Sequence, residues 1–109
     1  MFYEVRTYRL KNGSIPAYLK VVGEEGIEIQ QRHLGTLVAY LHSEIGPINE
    51  IVHIWAFESL DDRDRRRTSL LADPLWQAFL PKIRDLIEVA ENKIMKPAPF
   101  SPGLSNRVP

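Results

Sequence analysis

The stretch that decides the fold is residues 33–63, HLGTLVAYLHSEIGPINEIVHIWAFESLDDR, in which two apolar runs meet at Gly46-Pro47. Leu34 to Ile45 reads as one strand and Glu50 to Glu58 as the next, both rich in β-branched and aromatic residues. A connection as short as Gly46 to Asn49 allows only antiparallel pairing. A loop of that length predicts His42 opposite His53 and Tyr40 opposite Trp55.

Working outward, Phe2 to Leu10 has strand composition and stops at the turn signal Lys11-Asn12-Gly13. Ser14 and Pro16 start a helix that runs to about His33, with Ile15, Tyr18, Leu19, Val22 and Ile29 along one face. Gly23 and Gly26 weaken this helix but permit close packing. After the hairpin, Asp61 and Asp62 open a helix at its positive dipole end, supported by Asp61–Arg65 and Asp62–Arg66 pairs. Asp73-Pro74 is a second cap and first-turn proline, launching the apolar face of Leu75, Trp76, Phe79 and Leu80, and Pro81 marks a kink or fresh turn. Glu88 to Lys96 alternates as a fourth strand.

The order βαββαβ predicts an α+β, ferredoxin-like fold, with both helical segments on one face of a four-stranded antiparallel sheet. Alternation separates two sets of strand residues. Tyr3, Val5, Thr7, Leu37, Ala39, Leu41, Val52, Ile54 and Ala56 are expected beneath the helices. Glu4, Arg6, Tyr8, Val38, Tyr40, His42, Glu44, Ile51, His53, Trp55 and Phe57 are expected on the other face, which is too aromatic to be left to solvent. The simplest cover is a second copy related by two-fold symmetry, the two sheets forming a shared barrel.

From that face come the candidate pocket residues Glu4, Arg6, Tyr8, Tyr40, His42, His53, Trp55 and Phe57. Arg6 suits a carboxylate, Tyr8 a hydrogen bond, and Trp55 and Phe57 the flat surface of an aromatic ligand. His42, His53, Arg6 and Tyr8 are the catalytic candidates, one histidine as base and Arg6 or Tyr8 stabilising a developing anion. The same groups also serve packing and interface ion pairs. Trp76 and Phe79 follow the helix period and read as packing residues. No metal site is expected, because the two histidines lack a third ligand at a recognisable spacing. The arginines at 63, 65, 66 and 67, interleaved with aspartates, read as a solvated charged face.

With 14 basic and 14 acidic side chains, the 109-residue chain has no global field to draw it to nucleic acid or anionic lipid. It contains no cysteine, so disulfides, thiolate metal sites and cysteine nucleophiles are excluded. No apolar run is long enough to span a bilayer, and strand-like residues begin at Phe2; the expectation is a cytoplasmic protein without a membrane partner. Pro97 to Pro109 holds four of the eight prolines and no apolar periodicity, so the domain is taken as residues 1–102 with a flexible tail at 103–109.

Several stretches together resemble the NIPSNAP family. They are Tyr3-Glu4-Val5-Arg6-Thr7-Tyr8, Arg32-His33-Leu34-Gly35, Glu44-Ile45-Gly46-Pro47, Asn49 through Trp55, Ser59-Leu60-Asp61-Asp62-Arg63, Asp73-Pro74-Leu75-Trp76 and Pro97-Ala98-Pro99-Phe100. The resemblance implies a homodimeric α+β barrel related in shape to small cofactor-independent monooxygenases and haem-degrading barrels. It implies no settled activity, and the chain carries no phosphate-binding glycine loop and no nucleophile elbow. The leading expectation is a small-molecule-binding or interaction barrel that needs no cofactor. The alternative is a cofactor-independent monooxygenase acting on a small aromatic substrate, with haem on a barrel histidine as a further variant.

Overall fold

The computed structural model describes residues 1–103. Most of the reading of the tail at 103–109 therefore lies outside the described residues. Strands β1 (Phe2–Leu10), β2 (Thr36–His42), β3 (Glu50–Phe57) and β4 (Ile87–Met95) form one antiparallel sheet in the order β2-β3-β1-β4, the ferredoxin-like arrangement. The helical segments lie on one face. They are α1 (Ile15–Val21), a π-helical turn (Val22–Gly26), α2 (Ile27–Leu34), α3 (Leu60–Ala72), α4 (Pro74–Phe79) and α5 (Pro81–Arg84).

Local chemistry explains the boundaries. Helix α3 starts one residue before the aspartates, with Ser59 as its cap: Ser59 Oγ accepts from the Asp62 amide at 3.0 Å, while Asp62 Oδ2 accepts from the Glu58 amide at 3.1 Å. At α4, Asp73 Oδ1 accepts from the Leu75 amide at 2.8 Å, as Asp73-Pro74 predicts. Pro81 begins a fresh turn, α5.

The π-helical turn widens the first helix where it crosses α4. A β-carbon at Gly26 would lie 2.5 Å from Phe79 Cζ, and that ring is buried and stacked on Trp76 with centroids 5.3 Å apart. Gly26→Ala is therefore expected to destabilise the fold by about 1–2 kcal/mol despite alanine's better helix propensity, because relieving the overlap moves the Phe79 ring off its stacking contact with Trp76. Urea unfolding checks this, and an unchanged midpoint would show that Phe79 moves freely.

The faces of the sheet are opposite to the sequence expectation. Glu4, Tyr8, Ile51, His53, Trp55 and Phe57 are buried under the helices, while Tyr3, Val5, Val52 and Ile54 are only half-buried on the open face; Leu37 and Val38, at the start of β2, keep their expected sides. Both faces are rich in apolar residues, so alternation defines the two sets without saying which one the helices cover. Glu4 tolerates burial because α3 brings it Arg63, and His53 because Trp55 of its own strand donates to it.

The hairpin register also differs. Its loop spans seven residues, 43–49, closed by the Ser43 amide donating to the Glu50 carbonyl at 3.1 Å. Tyr40 therefore faces His53 and His42 faces Ile51. An irregularity between Leu37 and Ala39 inserts Val38 as an extra residue and turns it to the open face, away from Tyr40.

Candidate functional site

Between sheet and helices lies a cavity of about 230 Å³. Strands β1 and β2 contribute Arg6, Tyr8 and Tyr40 to its polar end, α1 and α2 contribute Tyr18 and Gln30, and α3 contributes Arg67. The opposite wall is apolar, built mainly by Leu71, Trp76, Phe79 and Ile83. Two arginines line this space and no acid does.

The acid that balances Arg6 sits behind the lining. Glu4 is fully buried, and its Oε2 accepts from Arg6 Nη1 at 3.2 Å, Arg63 Nε at 3.1 Å and Arg63 Nη2 at 2.7 Å. Burial raises the Glu4 pKa, but the bonds from Arg63 and the Asn92 amide and the nearby guanidinium charges outweigh it, and the carboxyl stays below its ordinary value. Asn92 only approaches: Glu4 Oε1 makes no hydrogen bond of ordinary geometry. Arg6 also donates from Nε to the Tyr8 hydroxyl at 2.9 Å.

Tyr18 and Tyr40 share a 2.6 Å hydroxyl–hydroxyl bond across the cavity wall, and burial raises both pKa values, so both phenols are neutral; one donates to the other, which leaves the pair one hydroxyl proton to offer. Under Tyr40, His53 stacks at 4.5 Å between centroids, with Tyr8 edge-on at 5.0 Å. Trp55 Nε1 donates to His53 Nδ1 at 2.8 Å, fixing the tautomer that carries its proton on Nε2. Burial, helped by the Arg6 charge, pushes the His53 pKa down to about 3. His53 is therefore a neutral ring whose only lone pair is taken, and its Nε2–H is buried without an acceptor.

Of the residues expected at the site, Arg6, Tyr8 and Tyr40 line the cavity. Glu4 and His53 brace that lining from behind, and Trp55 is fully buried and orients His53. Phe57 lines a small cleft near Met1 on the far side, and His42 is exposed at the end of β2. His42 and His53 do not come together, so they do not form an acid–base pair, and neither ring lines the cavity to offer a haem ligand. Among the described residues no group of three or more His, Asp or Glu side chains is placed to hold a metal.

Sequence reasoning missed Tyr18, Gln30, Arg67 and the exposure of Trp76 and Phe79 to the cavity. The arginines of α3 are not one solvated face: Arg65 is exposed, whereas Arg63 reaches Glu4 and Arg67 lines the cavity. The signal was present, since residues 63, 67 and 70 share a helical stripe that ends on the fully buried Leu70. Gln30, one residue from Ile29 on the inward side of α2, was a second signal.

Comparison with known proteins matches this architecture. The NIPSNAP family model matches residues 3–102. A nipsnap family protein with unknown function from Agrobacterium tumefaciens, Atu4242, is 80% identical, with a TM-score of 0.92 over 94% of this chain and 92% of that one. A NipSnap homolog from Dictyostelium discoideum is 30% identical over 87% of this chain but only 42% of its own length, so the chain spans less than half of that relative. A putative antibiotic biosynthesis monooxygenase from Nitrosomonas europaea, 14% identical over 89% of this chain and 98% of its own, shares the fold alone at a TM-score of 0.65. With the family pattern matched from Tyr3 almost to the end of the described chain, this protein belongs to the NIPSNAP family.

Proposed function

We propose that the chain is a homodimeric binding protein for a small organic molecule, which it holds in the cavity between sheet and helices. The observation that carries this reading is the cavity's division into a polar end, with Arg6, Arg67 and three tyrosines, and an apolar wall. At about 230 Å³ it is below the roughly 300–1,000 Å³ of drug-sized sites, so the ligand is small. The monooxygenase reading needs a base at the substrate, and the histidine nearest the cavity has its lone pair bound to Trp55. Binding is therefore the better-supported function.

The dimer would form through the open sheet face that carries Tyr3, Val5 and Ile54, not through the aromatic face of Tyr8, Tyr40 and Trp55, which the helices cover. Tyr3, Val5, Val38, Ile54 and Met95 line an apolar groove there, with Ser101 to Gly103 along its rim. A formal net charge of zero removes like-charge repulsion between copies. We place the protein in the cytoplasm; among the described residues no helix is long and apolar enough to cross a membrane. Cell fractionation that recovers it with membranes would overturn that placement.

Native mass spectrometry tests the assembly, with a dimer of 12.6 kDa chains expected and a persistent monomer against it. Protein-observed NMR with a fragment library tests the cavity. Binders are expected to shift the Trp76 indole resonance, and a library that leaves it unmoved would overturn the pocket.

A further inference from the structure

The charge balance around the cavity identifies what kind of molecule it takes. Arg6 is already committed to Glu4 at 3.2 Å and to the Tyr8 hydroxyl at 2.9 Å, and Arg63 to Glu4 and to Asp64, the latter at 3.3 Å. Arg67 lines the cavity half-buried and makes no hydrogen bond or ion pair among the described residues. A guanidinium held partly out of water with no directly bonded counter-charge is unfavourable unless something supplies the anion. Burial and the neighbouring Arg6 charge pull the Arg67 pKa down and outweigh the opposing pull of Glu4, which acts on it only at a distance and is itself bonded to Arg6 and Arg63.

We propose that the cavity binds a small monocarboxylic acid with an aryl or short alkyl body, its carboxylate on Arg67 and its body against Trp76, Phe79 and Ile83. The inference rests on the cavity being a ligand site, as proposed above. One uncompensated positive charge matches one negative charge, and the planar fork of a guanidinium matches a carboxylate bidentately. The Tyr18–Tyr40 pair, with one hydroxyl proton left over, and Gln30 add neutral donors to the same cavity without adding charge. A dianion would exceed the free positive charge, and a neutral ligand would leave Arg67 unpaired.

Isothermal titration with 3-phenylpropionate and its uncharged amide, 3-phenylpropanamide, tests the assignment. The wild-type protein is expected to bind the acid about tenfold or more tightly than the amide, because a charge-assisted bidentate pair replaces a neutral contact. Arg67→Met and Arg67→Gln should both abolish that preference. Arg65→Met should keep it, since Arg65 carries the same charge on the same helix but is exposed. The Arg67→Met protein without ligand should also melt a few degrees higher than wild type, because an unpaired half-buried charge has gone. Equal affinity for acid and amide would overturn the carboxylate assignment while leaving the pocket in place. A preference for the acid that survives in both Arg67 variants would overturn Arg67 as its anchor. Binding of neither probe would remove the carboxylate assignment, and the fragment-library NMR then decides the pocket separately.

Discussion

Glu4→Gln is expected to lower the free energy of unfolding by about 3 kcal/mol, the cost of removing the acidic partner from a buried ion pair. Glu4 is fully buried on β1, and its Oε2 gathers Arg6 from its own strand and Arg63 from α3. Glutamine keeps the size and one carbonyl oxygen, so packing is conserved while two guanidiniums lose their counter-charge. The same carboxylate gives the fold a defined acid limb. Its native pKa lies below the ordinary 4.5, so its contribution is fully present above that value and is lost as pH falls through the lower native value. Denaturant unfolding between pH 3 and 7 should show wild-type stability dropping in that window, with a shallower drop in the variant. Equal stability at pH 7 and matching acid limbs would show that the arginines do not depend on Glu4.

The outcome also shows what the residues disclose and what they conceal. The Asp73-Pro74 cap and the alternation of β4 are local signals that appear where their residues place them, and the hairpin forms between the expected strands with a longer loop and a shifted register. Choosing between the two faces of the sheet needed non-local information. Glu4 and His53 look like residues of an open or shared surface until Arg63 is seen to reach Glu4 from α3 and Trp55 to bond one side of His53. Buried polar groups are tolerated where partners come from elsewhere in the chain, and periodicity within a strand does not report those partners. The extra residue at Val38 was hidden for a related reason, because a bulge changes the parity of a strand without changing its composition. For the site, only Arg6, Tyr8 and Tyr40 were strand residues legible by alternation. Most of the lining came from the helical segments, where an arginine stripe at residues 63 and 67 resembles a solvated face unless its continuation to Leu70 is followed.

The corrected faces determine where an assembly-breaking substitution must go. Ile54 lies at the centre of the open face, on β3 opposite Val5 of β1 and Ala39 of β2, and lines the apolar groove. If two copies pair through this face, Ile54→Asp puts a carboxylate into the interface twice, because a two-fold axis repeats every contact. At about 2 kcal/mol for each buried, unpaired charge, the dissociation constant should rise on the order of 1,000-fold, enough to give monomer at micromolar concentration. The monomer should remain folded, since Ile54 is only half-buried within one chain and the core under the helices is untouched. Leu75→Asp, on the exposed side of α4, is the matched control and should remain dimeric. Sedimentation velocity with circular dichroism separates the outcomes. A folded Ile54→Asp monomer beside a Leu75→Asp dimer places the interface on the open face. A dimer that persists in Ile54→Asp would move the interface elsewhere, and the apolar groove would then need a different occupant.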